Sequence, residues 1–214
     1  MRVGVLGTGM VGRAIATKLV ELGHEVTMGA RQAGNEKAVE WARGAGDGAA
    51  EGSFADAAAH GELVFNCTAG TASVDALRAA GEEELRGKVL VDVANPLDFS
   101  KGMPPTLSVC NDDSLGEEIQ RGFPDARVVK ALNTMNASVM TSPIEGTNVF
   151  VCGDDAAAKQ QVVELLGDFG WPADSVLDLG GIEAARGMEM YLPLWLRMMG
   201  ALGTPQFNIA AVRG

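Results

Sequence analysis

Short apolar runs alternate with stretches of helical periodicity along most of the chain. The runs that are predicted to be strands lie at 3–6, 25–28, 62–67, 88–93, 127–132 and 149–152. Between them apolar residues recur every three or four positions, as Ile15, Leu19 and Leu22 do. Strands that are buried on both faces read as nearly continuous apolar runs. The pattern therefore predicts an α/β fold, a doubly wound parallel sheet with right-handed crossovers.

The pattern changes near the end of the sequence. After Gly181 a methionine-rich helix is predicted from about Ile182, with a kink at Pro193 because proline lacks the backbone N–H that a helix interior uses. No stretch has the composition of a domain linker, and the segment 98–113 is predicted to be a loop beside the cleft. We expect one domain over 1–214, with 181–214 as a C-terminal helical extension.

Composition narrows the class of partner. The 214 residues include 28 Gly and carry a formal net charge of −11, which argues against a nucleic-acid or anionic-membrane surface. The three cysteines have neither CxxC nor Cys/His spacing, so a disulfide framework and a zinc site are not supported, and a reducing cytoplasm fits best. No apolar run approaches the ~20 residues of a membrane span, so no membrane association is expected.

A glycine-rich turn follows the first predicted strand. Its spacing, GxGxxG, lets the backbone turn tightly and approach a pyrophosphate at the start of a helix, where free N–H groups favour an anion. A glycine turn that serves packing alone is the other interpretation. The residues predicted to form a dinucleotide cradle are Gly7, Thr8, Gly9, Met10, Val11 and Gly12.

The end of the second strand distinguishes NAD from NADP. NAD-binding proteins usually carry an Asp or Glu there for the ribose 2′-hydroxyl. This chain has Ala30 and Arg31 instead, a small residue and a planar cation suited to a 2′-phosphate, with Lys37 one or two turns further on. The sequence therefore predicts NADP, although both cations are also ordinary surface residues.

Ligands of doubly wound folds bind at the carboxyl ends of the strands. Small and amide residues follow three strands here, and they are suited to a flat nicotinamide ring and its carboxamide. Asn95 and Asn133 are also residue types that turns favour, and both interpretations stay open. The further residues predicted to bind the cofactor are Thr68, Ala69, Gly70, Val74 and Asn95.

Acid–base and nucleophilic motifs are missing from the sequence. His24 and His60 flank predicted strands as structural residues, while Cys67 and Cys152 belong to apolar strands. No GxSxG, HExxH or P-loop pattern occurs, and we assign no catalytic side chain and no metal ligand. Hydride exchange between two redox cofactors needs chiefly stacking and distance, so the sequence favours a second redox cofactor as partner.

Four segments resemble one known family. They are the opening MRVGVLGTG, the stretch LGHEVTMGAR at 22–31, KALNT at 130–134 and VCGDD at 151–155. Together they are similar to the F420-dependent NADP oxidoreductases. That resemblance implies a Rossmann fold in which NADP(H) exchanges hydride with the 5-deazaflavin of coenzyme F420, usually in a homodimer.

The resemblance also assigns residues. It implies that Thr8 to Val11 bind the pyrophosphate, that Ala30, Arg31 and Lys37 bind the 2′-phosphate, and that Ala137 lies beside the nicotinamide. The implied deazaflavin pocket consists of Pro96, Asn133, Met135, Met198 and Met199. The family often has Ser at the position of Ala30 and His at that of Asn133.

Two alternatives follow from the same residues. The domain also resembles the cytosolic part of membrane ferric reductases, which predicts an NADPH-dependent flavin or ferric reductase. A non-catalytic protein that senses NADP would need the same cradle and no acceptor.

Overall fold

The structure is a computed structural model and describes residues 1–212 and 214. Its strands are β1 (Arg2–Leu6), β2 (Glu25–Ala30), β3 (Ala49–Ser53), β4 (Leu63–Asn66), β5 (Val89–Asp92), β6 (Leu97–Asp98), β7 (Thr106–Leu107), β8 (Arg127–Ala131), β9 (Val149–Cys152) and β10 (Val176–Asp178). Its α-helices are α1 (Met10–Glu21), α2 (Glu36–Ala45), α3 (Phe54–His60), α4 (Gly70–Ala80), α5 (Glu82–Leu85), α6 (Leu115–Gly122), α7 (Ala137–Thr141), α8 (Ala156–Asp168), α9 (Ala185–Met190) and α10 (Leu192–Leu202). Short 3₁₀ helices lie at Ala173–Ser175 and Ile182–Ala184.

Eight strands form one sheet in the order β10-β9-β8-β5-β4-β1-β2-β3. Six of them, from β3 to β8, are parallel, so the predicted doubly wound fold is confirmed. The strand order reverses between β1 and β4, because β2 and β3 lie on one side of β1 while β4, β5 and β8 follow on the other. This reversal is where open α/β sheets bind their ligands.

The expectation of an entirely parallel sheet is wrong at one edge. β9 pairs antiparallel with β8, and β10 then runs parallel to β9. The connection from β8 to β9 contains only α7, whose five residues span about 7.5 Å. Because that helix is too short to carry the chain back along the sheet, β9 begins near the edge where β8 ends.

Three parts of the sheet structure were not anticipated by the hydrophobic pattern. β3 has the sequence AAEGS, which contains no β-branched or aromatic residue, yet it pairs with β2 over its full length. β10 is a three-residue edge strand, and β6 pairs with β7 at the base of the predicted loop. Pairing with a neighbouring strand formed these elements against weak local preference.

Successive strand residues point into two separate cores. In β1, Val3 and Val5 belong to the first core, whereas Leu6 belongs to the second. Helices α1, α2, α7 and α8 cover the first face, and α3, α4, α6 and α9 cover the second. This double burial is why the strands read as continuous apolar runs.

The C-terminal segment divides into two helices. Instead of one helix kinked at Pro193, the chain breaks at Tyr191 and Pro193 lies in the first turn of α10, where its missing N–H removes no helical bond. Trp195 of α10 stacks on Phe207 at 5.3 Å between ring centroids, in a third apolar cluster that Leu97 also contacts. Among the residues that the structure describes, no helix has the length and apolarity of a membrane-spanning segment.

Helix α3 packs directly on the backbone of β1 at Gly4. A Cβ at Gly4 would lie 2.2 Å from the carbonyl oxygen of Ala57. We expect Gly4→Ala to lower the free energy of unfolding by about 2 kcal/mol, because α3 has to move away from the sheet. Urea denaturation measures the change. The matched control is Gly44→Ala, at an exposed position of α2 with open space around its Cβ, which should raise stability by about 0.5–1 kcal/mol; equal effects at both positions would contradict the packing argument.

Candidate cofactor-binding cleft

The turn between β1 and α1 needs its three glycines for different reasons. Gly7 has φ +121°, and a Cβ there would lie 2.6 Å from the carbonyl oxygen of Cys67. A Cβ at Gly12 would lie 2.1 Å from the carbonyl oxygen of Gly7, so α1 packs tightly on the turn. Gly9 has no heavy atom within 4 Å of its would-be Cβ. That open space is what a phosphate would occupy, and a side chain would fill it.

The first turn of α1 faces this space without a side-chain cap. Gly9 is the N-cap residue and the first turn carries no acidic side chain, so its N–H groups have no local anion. The first N–H groups of a helix lack intrahelical acceptors and carry the positive end of the helix dipole. Met10, the first residue of this turn, is 71% exposed.

A cavity of about 620 Å³ lies over the carboxyl ends of β1, β2 and β4. It brings together seven of the residues that the sequence predicted, namely Gly7, Thr8, Gly9, Ala30, Arg31, Thr68 and Ala69. It is also lined by residues that the sequence analysis missed, namely Asn35, Phe54, Cys67, Ala72, Asp75, Ala76 and Ala79. Four of these lie on one face of α4 at helical spacing, a signal that was present in the sequence.

Several predicted residues lie outside the cavity lining. Gly70 is buried, and a Cβ there would lie 2.0 Å from the carbonyl oxygen of Asn95, so it serves the packing of α4. Val74 packs on the opposite side of α4, toward the second core. Lys37 is exposed in the first turn of α2, and Asn35, whose Oδ1 accepts from the N–H groups of Lys37 and Ala38, lines the cavity in its place.

Arg31 lies at the mouth of the cavity, directly after β2. Ala30 beside it is buried, while Arg31 is exposed and makes no ion pair within 4.0 Å in the described part of the chain. The carboxylate of Glu51 accepts the N–H of Gly34 at 2.9 Å and thereby holds the loop after Arg31. The guanidinium is therefore available to a ligand.

At the ends of β5 and β8, two predicted residues bind each other. Asn95 donates from Nδ2 to the carbonyl oxygen of Asn133 at 2.8 Å, and Asn133 donates from Nδ2 to Oδ1 of Asn95 at 2.9 Å. Leu132 precedes this pair with φ +63°, a left-handed conformation that costs a non-glycine residue about 1–2 kcal/mol. The sequence indicated both amides, but their pairing and the strain at Leu132 depend on tertiary structure.

Some buried polar atoms near this end have no partner within the described chain. They are Oδ1 of Asn133, Oγ1 of Thr134, Oη of Tyr191 and Nε1 of Trp195. Burial raises the pKa of Tyr191. Unpartnered buried polar groups are costly, and they fit a site that a polar ligand completes.

The residues assigned to a second pocket are not all on one surface. Met135 is only 6% exposed and belongs to the first core together with Val139 and Met140, and its place in the pocket stays a prediction. Ala137 is the buried first residue of α7. The other members lie nearer the third apolar cluster: Met198 and Met199 pack against it, and Pro96 immediately precedes Leu97.

The cysteines and histidines are not arranged for catalysis. Burial raises the pKa of Cys67, which lines the cavity, and raises that of Cys152 to about 12. Nδ1 of His24 lies 3.2 Å from the N-terminal amine. The pKa of His24 is lowered chiefly by burial and further by the positive charge of that amine. His60 lies 3.2 Å from the carbonyl oxygen of Glu25, at the start of β2 and so at the opposite edge of the sheet.

Comparison with known proteins fits this geometry. Residues 2–96, which include the cradle, match the family model described as NADP oxidoreductase, coenzyme F420-dependent. A crystal structure of a candidate F420-dependent NADP-reductase from Arthrobacter sp. FB24 is 52% identical, covers 100% of both chains and superposes with a TM-score of 0.94. The chain belongs to the F420-dependent NADP oxidoreductase family. The resemblance in the sequence is thereby confirmed, and the chain is an oxidoreductase of that family.

Two curated relatives extend the comparison in different directions. The F420-dependent NADP reductase of Methanocaldococcus jannaschii is 28% identical over 210 residues, which are 91% of this chain and 90% of that protein. The metalloreductase STEAP3 of Rattus norvegicus is 30% identical over 200 residues, which are 91% of this chain. The chain spans only 38% of the length of STEAP3.

The raised pKa values of Cys67 and Cys152 predict how slowly these two thiols react with an alkylating reagent. A thiol with a pKa of about 12 is ionised to about one part in ten thousand at pH 8, and only the thiolate is alkylated quickly. We expect Cys67 and Cys152 to resist iodoacetamide at pH 8 in the native protein and to react fully in urea. Peptide mass spectrometry measures both. Complete native labelling of Cys67 would mean that its place in the cavity is solvated.

Proposed function

We propose that the protein binds NADP(H) across the carboxyl ends of β1, β2 and β4 and exchanges hydride with the deazaflavin of coenzyme F420. The observation that carries this proposal is the cleft itself, an open phosphate cradle continuous with Arg31, in a chain that belongs to this family. The nicotinamide supplies or takes up a hydride, and the deazaflavin is its partner.

Discrimination for the 2′-phosphate rests on Arg31. The end of β2 carries no carboxylate for a ribose hydroxyl, and the buried Ala30 leaves room beside the guanidinium. In a chain of net charge −11, an unpaired arginine at the mouth of the cavity is a specific attraction for an anion. Asn35 lines the same region and fixes the start of α2.

The pyrophosphate fits the turn at Gly9. Its would-be Cβ points into open space, and the first-turn N–H groups of α1 provide donors without a competing acidic side chain. The adenosine would then lie against the apolar face of α4 that Ala72, Ala76 and Ala79 form. The chain's residues thus fit NADP at both the phosphates and the base.

At the nicotinamide end of the cleft, the side chains can orient the ring but carry no ionisable group. The segments 68–70, 94–96 and 133–137 contain no acidic, basic, cysteine or tyrosine side chain. Hydride exchange between two flat rings depends on their distance and alignment, which fixed amides such as the Asn95–Asn133 pair can supply. An alcohol substrate would instead need a general base at this place.

The deazaflavin fits the third apolar cluster. Tyr191, Met198 and Met199 are partly exposed there, and Trp195 is buried beneath them against Phe207. The buried Oη of Tyr191 and Nε1 of Trp195 are unpartnered within the described residues. Leu97 joins this cluster to the end of β5, beside the proposed nicotinamide position. Assembly as a homodimer and a cytoplasmic location stay predictions.

A flavin- or metal-reducing activity is the second candidate function. It is supported by the 30% identity to the metalloreductase STEAP3 over 91% of this chain. Both candidates use the same NADPH cleft and differ only in what accepts the hydride.

The acceptor is tested by comparing two candidate acceptors in parallel assays. Purified protein is mixed with NADPH and either oxidised F420 or free flavin, and the loss of NADPH absorbance is followed. We expect turnover with F420 at least about tenfold faster than with flavin, because the family to which the chain belongs is described as F420-dependent. Turnover with flavin alone would replace the proposed acceptor by the second candidate.

The 2′-phosphate contact is tested at Arg31. We expect Arg31→Ala to weaken NADPH binding by roughly 1–3 kcal/mol, the cost of a lost charge-assisted hydrogen bond, and to leave NADH binding unchanged. Titration of the nicotinamide fluorescence measures both affinities. The matched control is Arg43→Ala, which removes the same charge from the exposed end of α2 and should leave NADPH affinity within about twofold. Equal losses for NADPH and NADH in Arg31→Ala would refute a 2′-phosphate role.

A further inference from the structure

A lysine with no exposed surface lies in the middle of the sheet. Lys130 belongs to β8 and has a relative exposure of 0%. An ammonium group has three protons to donate, and Nζ of Lys130 has three acceptors: Oδ2 of Asp92 at 2.7 Å, the carbonyl oxygen of Ala94 at 2.6 Å and Oε1 of Glu189 at 2.7 Å. Every proton of this buried cation is therefore used.

On one side the network reaches the wall of the proposed NADP cleft. Asp92 accepts at Oδ1 from Nδ2 of Asn66 at 2.8 Å, and Asn66 accepts at Oδ1 from the hydroxyl of Thr68 at 2.6 Å. Thr68 lines the cavity. A continuous chain of hydrogen bonds thus runs from the cleft to Lys130.

On the other side the network ends on the C-terminal helices. Glu189 lies on α9, and its carboxylate also accepts the N–H groups of Leu115 at 2.9 Å and Gly116 at 3.1 Å, in the first turn of α6. The side chain is only 1% exposed. Glu189 therefore joins α9, α6 and β8 at one buried point.

The third acceptor of Lys130, the carbonyl oxygen of Ala94, belongs to the residue that precedes Asn95. Fixing the carbonyl oxygen of Ala94 fixes the direction in which Asn95 leaves β5, and Asn95 holds Asn133 by two hydrogen bonds. Asp92 also accepts the N–H of Ala94 at 3.2 Å. Both backbone polar groups of Ala94 thus belong to the network.

Packing alone does not require these charges. Replacing a buried ion pair by apolar side chains of similar size is often neutral or stabilising, whereas removing one partner is strongly destabilising. Desolvation lowers the pKa of Lys130, but Asp92 and Glu189 outweigh it and the pKa is raised. Burial raises the pKa of Glu189. Such a network is costly to build and well suited to fix one arrangement of the elements around it.

We infer that Lys130 and Glu189 are positioning residues for hydride transfer, which couple the alignment of the nicotinamide end of the cleft to the docking of helix α9. Through Ala94 they set the Asn95–Asn133 pair, and through Glu189 they require α9 to be in place. The inference rests on the proposed function, because it assigns the nicotinamide to that end of the cleft. It adds a condition that the cofactor contacts themselves do not contain.

The main variant is Glu189→Gln, which keeps the size of the side chain. Its NH₂ group would face hydrogen-bond donors, because the carboxylate of Glu189 accepts from Lys130 and from the N–H groups of Leu115 and Gly116. The matched control is Arg186→Met, on the same helix. Arg186 donates from Nε to Oε2 of Glu117 at 2.8 Å and so also ties α9 to α6, but it has no link to Ala94. A role limited to holding the two helices together would make the two variants alike.

We expect Glu189→Gln to lower kcat for NADPH and F420 by about tenfold or more and to raise KM for NADPH several-fold, since misalignment of the Asn95–Asn133 pair affects both the transfer step and the binding of the nicotinamide half. Arg186→Met should keep both constants within about twofold. Equal losses of kcat in the two variants, or an unchanged kcat in Glu189→Gln, would overturn the inference. Lys130→Met should lose kcat like Glu189→Gln, and if it does not fold, Glu189→Gln alone decides.

A binding measurement separates this inference from the proposed acceptor. The affinity for NADPH is compared with that for adenosine 2′,5′-bisphosphate, which lacks the nicotinamide half. We expect Glu189→Gln to lower the ratio of the two affinities several-fold and Arg186→Met to leave it unchanged. A wild-type protein that does not turn over F420 would refute the proposed acceptor, while this ratio would still support or overturn the coupling. An unchanged ratio in Glu189→Gln would refute the coupling and leave the proposed acceptor untouched.

Discussion

A parallel sheet has to be covered by apolar groups on both faces, and that requirement governs this structure. Six strands alternate their side chains between two cores, and each core is closed by its own set of helices. Because every crossover returns the chain to the same edge, all carboxyl ends of the parallel strands meet there. The chemistry of the protein is confined to that edge, where backbone groups leave the sheet and have to find new partners.

Those partners are arranged differently in the two halves of the cleft. In the adenosine half, the turn at Gly9 and the side chain of Arg31 are left open, so that a ligand can supply the missing interactions. In the other half, Asn95 and Asn133 bind each other, directly after the strained backbone at Leu132. The first half is suited to hold anions, and the second to hold a ring at a fixed place.

The buried charges connect the two halves with the end of the chain. Lys130 is surrounded by acceptors from β5 and α9, and its partner Asp92 continues toward the cavity through Asn66. In water such pairs contribute little, but in a dry sheet interior an unpaired member would be very costly. The arrangement of β5, β8 and α9 is therefore fixed jointly: none of them can shift without leaving a charge unpaired.

The sequence alone determined the parallel sheet, the cradle and the position of Arg31. Those features depend on local signals: apolar runs of strand length, glycines at fixed spacing, and the residue type that follows the second strand. The strand at 49–53, whose composition is unfavourable, could not be predicted because its pairing with β2 supplies what its own residues lack. The antiparallel β9 was missed for a related reason, since direction depends on the length of the connection and on no property of the strand.

Only the tertiary structure decided which polar residues meet. The sequence indicated Asn95 and Asn133 separately, but their mutual hydrogen bonds join residues that lie 38 positions apart. Lys130 was visible as one charge in an apolar strand, and nothing local indicated that Glu189 would reach it. Met135 was expected near a pocket, and its packing in the first core was not expected. Backbone preferences depend on residues that are neighbours in the sequence. The pairing of buried polar groups depends instead on which elements the folded chain brings together.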